Sequence, residues 1–169
     1  MKISRPISVI GLGNILMRDE GVGVHVIRAF QERYDTPDGV EIVDGGTAGF
    51  DLLPLIEGRD KVLLVDAVNF GREPGAIDVL VNDEIPARFS TKASLHHLGL
   101  MDILSITKLA GSAPGELCLV GIQPKALEVG LDMTPEICDK VQTLVERVAT
   151  RLQDWNVQCV LRSPQKSSR

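Results

Sequence analysis

The stretch Lys61-Val62-Leu63-Leu64-Val65-Asp66 constrains this chain most. Four successive apolar residues, two of them β-branched, end in a carboxylate. A strand facing water on one side alternates apolar and polar positions, whereas one buried on both faces does not. Lys61 to Asp66 therefore reads as a strand of a sheet covered on both faces, which belongs to α/β architecture. Ile7-Ser8-Val9-Ile10-Gly11 reads as a further buried strand, and Val40-Glu41-Ile42-Val43 and Glu116 to Ile122 as two more strands.

Helical patterns lie between them. Gly21 to Tyr34 places Val22, Val26, Ile27, Phe30 and Tyr34 on one face. Phe50 to Glu57 reads as a short helix made irregular by Pro54. Ser94 to Ala110 reads as a third helix, with Leu98, Met101, Leu104 and Ile106 among its apolar residues. Thr134 to Trp155 has the longest stripe, from Ile137 to Trp155, with Thr134 placed to cap it and Pro135 at the first helical position. Ile77 to Val81 follows the turn Gly71 to Gly75 at hairpin distance and is expected to run antiparallel to the strand before it. The expected fold is one α/β domain over residues 1–160. Its sheet is mostly parallel and twisted, with about five strands, one antiparallel, and helices on both faces. Residues 161–169 read as a polar basic tail.

Composition closes several functional classes. The first 160 residues hold 15 basic and 23 acidic side chains, a net charge of −8. That is a poor phosphate binder, and six aromatic residues make no stacking platform, so a nucleic-acid partner is not expected. No apolar run approaches the ~20 residues needed to span a bilayer. Met1 to Pro6 is polar and carries no secretory apolar region, so the expected compartment is the cytosol. Cys118, Cys138 and Cys159 form no metal or disulfide framework. Cys118 and Cys138 read as small core residues, and His25 as a surface histidine.

In parallel sheets, ligands bind beyond the carboxyl ends of the strands. The segment after the first strand, Gly11-Leu12-Gly13-Asn14-Ile15-Leu16-Met17-Arg18-Asp19-Glu20-Gly21-Val22-Gly23, begins like a dinucleotide fingerprint. The third glycine is missing, because position 16 is Leu16, and Asp19-Glu20 would repel a pyrophosphate. One of these two acids reads as a complement to the helix dipole. Asp44-Gly45-Gly46-Thr47-Ala48-Gly49 follows the second strand and Asp66 closes the third. Ser94-Leu95-His96-His97-Leu98-Gly99 opens a helix whose dipole keeps an imidazole neutral and able to bind metal. Two carboxylates and a histidine at one sheet edge make a possible mixed O/N metal site, for zinc, manganese, iron or nickel alike.

These four segments, in this order and at these separations, resemble the motifs of the hydrogenase maturation proteases, and the similarity runs from about Ile7 to Trp155. The resemblance implies a nickel-dependent endopeptidase that removes the C-terminal extension of a [NiFe]-hydrogenase large-subunit precursor after nickel insertion. It implies Glu20, Asp66 and His96 as the metal-binding and catalytic residues, His96 being preferred to His97 because it follows Ser94-Leu95. It implies Asp44, Gly45, Gly46 and Thr47 as a substrate-contacting loop. Nickel is expected to arrive in the precursor, and the protease to be a monomer in which His97 is dispensable. Two alternatives use the same scaffold: a non-catalytic metal-sensing chaperone for that precursor, and a general metallopeptidase.

Overall fold

The computed structural model describes residues 6–89 and 95–163; for Leu95 and His96 it describes the backbone alone. In chain order, β1 (Ile7–Leu12) leads through the 3₁₀ turn Arg18–Gly21 into α1 (Val22–Arg33), then β2 (Tyr34–Asp35) and β3 (Val40–Gly46). A second 3₁₀ turn, Phe50–Leu52, precedes α2 (Leu53–Ile56), β4 (Lys61–Ala67) and β5 (Ile77–Val81). There follow α3 (Glu84–Phe89), α4 (Leu95–Leu109), β6 (Glu116–Ile122), α5 (Pro135–Cys138), α6 (Val141–Asp154) and β7 (Val160–Leu161).

The main sheet has five strands in the order β3-β1-β4-β6-β5. The β1–β3, β1–β4 and β4–β6 pairs are parallel, and β5 is antiparallel to β6. β4 lies at the centre, and its continuous apolar run is covered on both faces. Leu63 and Val65 point to one face and join Val26, Ile27 and Phe30 of α1 and Leu144, Val145, Val148 and Leu152 of α6. Val62 and Leu64 point to the other and meet Leu52, Ile56, Ile85, Phe89, Leu100 and Ile103. All four β4 side chains are fully buried. At ~1.5–3 kcal/mol for burying each large aliphatic chain, this strand alone accounts for several kcal/mol of the driving force.

Several expectations change. β5 has the expected direction but does not pair with β4; β6 inserts between them. The 77–81 segment returns past the sheet edge that β6 later fills. The segment from Thr134 to Trp155 is two helices, broken at Asp139-Lys140. Thr134 makes no side-chain cap, because its hydroxyl is committed to Asp19. Cys118 is buried, and burial pushes its thiol up to about 11. Cys138 is exposed, since four-residue α5 turns only Ile137 inward. β7 pairs antiparallel with β2, so the segment set aside as a tail from residue 161 begins inside a strand, and Arg162 bonds Asp35 beyond it. The remainder, 164–169, lies outside the described residues. Among the described residues, no helix is long and apolar enough to cross a membrane.

Candidate active site at the carboxyl edge of the sheet

The first segment is positioned by contacts the sequence could not display. Gly13 has φ +124°, and a Cβ there would stand 1.8 Å from the Glu20 carbonyl oxygen. Only glycine lets the chain fold back on the 3₁₀ turn so tightly. That turn packs against β4 and α1, bringing Glu20 to the end of the strand that carries Asp66. Glu20 is part-buried.

Asp19, its neighbour, does something else. It is fully buried and accepts hydrogen bonds from the amides of Lys125 (3.0 Å), Ala126 (2.9 Å) and Thr134 (2.7 Å) and from the Thr134 hydroxyl (2.8 Å). Burial pushes its carboxyl up, but these donors outweigh burial and hold it below the usual range. Asp19 therefore ties the first segment to the loop after β6. Its partners lie more than a hundred positions away in the sequence, beyond the reach of local patterning.

Asp66 is fully buried at the end of β4. The Ala67 amide donates to Oδ1 (2.8 Å), and the imidazole Nε2 of His97 lies 2.6 Å from Oδ2. The His97 ring stacks on Phe89, with centroids 4.2 Å apart and planes 17° from parallel. Adjacent helical residues point ~100° apart, so one of the pair was expected at the site. The structure brings His97 to Asp66. The side chain of His96 lies outside the described residues, as does Ser94 of the same segment. The one sequence signal for the burial of His97 is that one of two adjacent histidines on a helix packs inward.

The glycine loop lies beside the first segment. β3 bulges at its end, so that Leu12 pairs with Gly46 rather than Gly45. Asp44, Gly46 and Thr47 line a cavity of about 280 Å³ together with Gly13, Asn14, Ile15, Leu16 and Arg28. Asp44 accepts from Arg28 (2.8 Å) and from the Gly46 amide (3.1 Å). Gly45 faces inward instead, and a Cβ there would meet Ile10 and Leu52. α4 abuts the same loop, with Gly99 against Gly49. All four segments thus converge on one edge. A larger cavity, about 730 Å³, lies by Tyr34 and the end of α6 and holds none of the motif residues.

His25 is half-buried rather than a surface residue, and its Nε2 has no hydrogen-bond partner. Burial lowers its pKa, the Arg28 charge lowers it further and Asp44 partly opposes them. Chemically, the edge offers two carboxylates, a buried imidazole and an open cleft. Among the described residues, which do not include the side chain of His96, no group of three His, Cys, Asp or Glu side chains is placed to hold a metal ion.

A family model described as hydrogenase maturation protease matches residues 24–151. The chain is 41% identical over 157 residues to the hydrogenase 2 maturation protease of Escherichia coli K12, covering 92% of this chain and 96% of that one. It is 39% identical to the hydrogenase expression/formation protein HupD of Bradyrhizobium diazoefficiens, covering 93% and 83%. Among solved structures it resembles the hydrogenase maturating endopeptidase HybD of E. coli, with TM-score 0.90 and 40% identity over 93% of this chain and 98% of that one. It also resembles the [NiFe] hydrogenase maturation protease HybD of Thermococcus kodakarensis, with TM-score 0.70 and 26% identity over 87% and 98%. With motifs, fold and relatives in agreement along nearly its whole length, the chain belongs to the hydrogenase maturation protease family.

Proposed function

We propose that this protease removes the C-terminal extension of a [NiFe]-hydrogenase large-subunit precursor, and does so only after nickel has been inserted. Glu20, Asp66 and His96 are assigned as the residues that meet the metal. Asp44, Gly46 and Thr47 are assigned to the substrate chain, with Gly45 shaping the loop from beneath.

The observation that supports this reading is that the segments carrying Glu20, Asp66 and the glycine loop meet at one edge of the sheet. The donor chemistry supports nickel as cargo of the substrate. Carboxylates are hard donors, and one imidazole suits nickel, but tight nickel binding calls for softer or more numerous ligands. Such a set completes the shell of an ion already held by the precursor better than it captures a free one. Metal and protein contacts then act together, so the loaded precursor binds far better than either alone. When bound, nickel supplies Lewis-acid polarisation of the scissile carbonyl.

The chain's own residues do the rest. Asp66, its Oδ1 fixed by the Ala67 amide, presents a carboxylate whose orientation is set before substrate arrives. The cleft beside Gly46 and Thr47 holds the extension, and the bulge at Gly45 turns the loop outward to meet it. The test is mass spectrometry of nickel-loaded precursor after incubation with wild type and with Asp66→Asn. Wild type is expected to release a short C-terminal peptide and the variant to release none. A precursor bound but left intact by wild type instead describes a metal-sensing chaperone; cleavage of unrelated peptides describes a general metallopeptidase.

A further inference from the structure

Asp66 is held at both oxygens. Oδ1 takes the amide of the next residue, and Oδ2 faces His97 Nε2 at 2.6 Å. When Asp66 is ionised its oxygens only accept, and this contact then requires the hydrogen on Nε2. The imidazole is itself immobilised: it is buried and stacks on Phe89 of α3. His97 therefore forms the rigid link between the start of α4 and the end of β4. A buried carboxylate fixed in this way is oriented before any further partner arrives. It also loses the rotational freedom that would otherwise have to be frozen on binding.

We propose that His97 is a positioning residue, which donates to Asp66 Oδ2 and fixes the plane of that carboxylate at the reacting centre. This rests on the assignment of Asp66 to the precursor's metal. It departs from the sequence expectation that His97 is dispensable: its ring sits on the carboxylate and is not turned to solvent. A hydrogen bond from a neighbouring side chain to a metal-facing carboxylate typically changes affinity or activity by ~10–100-fold when removed.

The experiment compares full-length wild type, His97→Leu and His97→Gln on nickel-loaded precursor. Leu fills the space against Phe89 without a donor, whereas Gln returns an N–H at similar reach. His97→Leu is expected to lower kcat by ~10–100-fold with KM little changed. His97→Gln is expected to recover to within about threefold of wild type, as the restored N–H again orients the carboxylate. A second readout needs no substrate: long-range ¹H–¹⁵N spectra of the imidazoles in wild type and Asp66→Asn. The His97 ring is expected as the Nε2–H tautomer, with that signal displaced when Asp66 is changed. Full activity of His97→Leu, or a His97→Gln no better than His97→Leu, overturns the proposal. So does a His97 ring indifferent to Asp66→Asn, which also decides the matter if His97→Leu does not fold. If wild type fails to cut the precursor, the functional assignment falls, while the imidazole spectra still judge the Asp66–His97 link.

Discussion

Replacing Asp19 by Asn changes one atom at a point where four donors converge. Oδ2 takes the amides of Lys125 and Ala126, and Oδ1 takes the amide of Thr134; the Thr134 hydroxyl reaches both oxygens. An amide group in either orientation sets an NH₂ against at least one backbone N–H. The variant thus loses charge-assisted bonds and leaves a buried donor unmatched. With ~1.5–3 kcal/mol for a bond to a charged group and ~1–3 kcal/mol for an unsatisfied buried donor, the loss is about 3–5 kcal/mol. At ~2–4 °C per kcal/mol for a domain of this size, the melting temperature should fall by about 6–20 °C. The sign of the pH dependence follows from the direction of the shift. The folded carboxyl lies below its ordinary value of 3.8, so its stabilisation is complete above that value and is lost as pH falls through the folded pKa. Calorimetry of both proteins from neutral pH into the acid range should show a wide gap that narrows below about pH 4. A melting temperature for Asp19→Asn within 2 °C of wild type near neutral pH, or a gap that persists in acid, would refute the reasoning (the threshold being about 1 kcal/mol).

Other expectations concern the remaining segments. His96→Ala should abolish processing in a protein that remains folded by circular dichroism. Glu20→Gln should weaken binding of the loaded precursor in a pull-down, because an amide is a poorer, uncharged donor. Gly46 has φ +49°, so Gly46→Val adds ~1–2 kcal/mol of backbone strain to the loss of cleavage, seen as a lower melting temperature. Gly46→Asn, which tolerates that conformation, should keep the melting temperature and still slow processing by crowding the cleft. Truncation after Gln158 removes β7 and the Arg162–Asp35 pair, far from the motifs, and should leave processing intact.

The face-level organisation of this fold was legible in the sequence, and the pairing was not. Val62 to Val65 announces a strand buried on both sides because burial is recorded residue by residue. Likewise the apolar stripes of α1 and α6 report which face turns inward. Periodicity does not report which neighbour a strand takes. The insertion of β6 between β4 and β5 depends on where a later strand docks, and the short turn at Gly71 to Gly75 suggests a hairpin instead. The site shows the same division. The placement of Glu20, Asp66 and the glycine loop at strand ends follows from local order. Asp19 finds Thr134 only across 115 positions, and that pairing takes the Thr134 hydroxyl away from the cap role the sequence suggests. Helical spacing separates two adjacent histidines without saying which one packs against Asp66, and in the structure His97 does.

The central claim is that nickel in the precursor licenses cleavage. It is tested most directly by incubating one precursor, purified with and without nickel, with the wild-type protease over a range of enzyme concentrations. The donor set assigned here predicts that the loaded form is shortened and the nickel-free form stays full length even at the highest concentration. Efficient cleavage of the nickel-free precursor would contradict the claim and leave Glu20, Asp66 and His96 in need of another role.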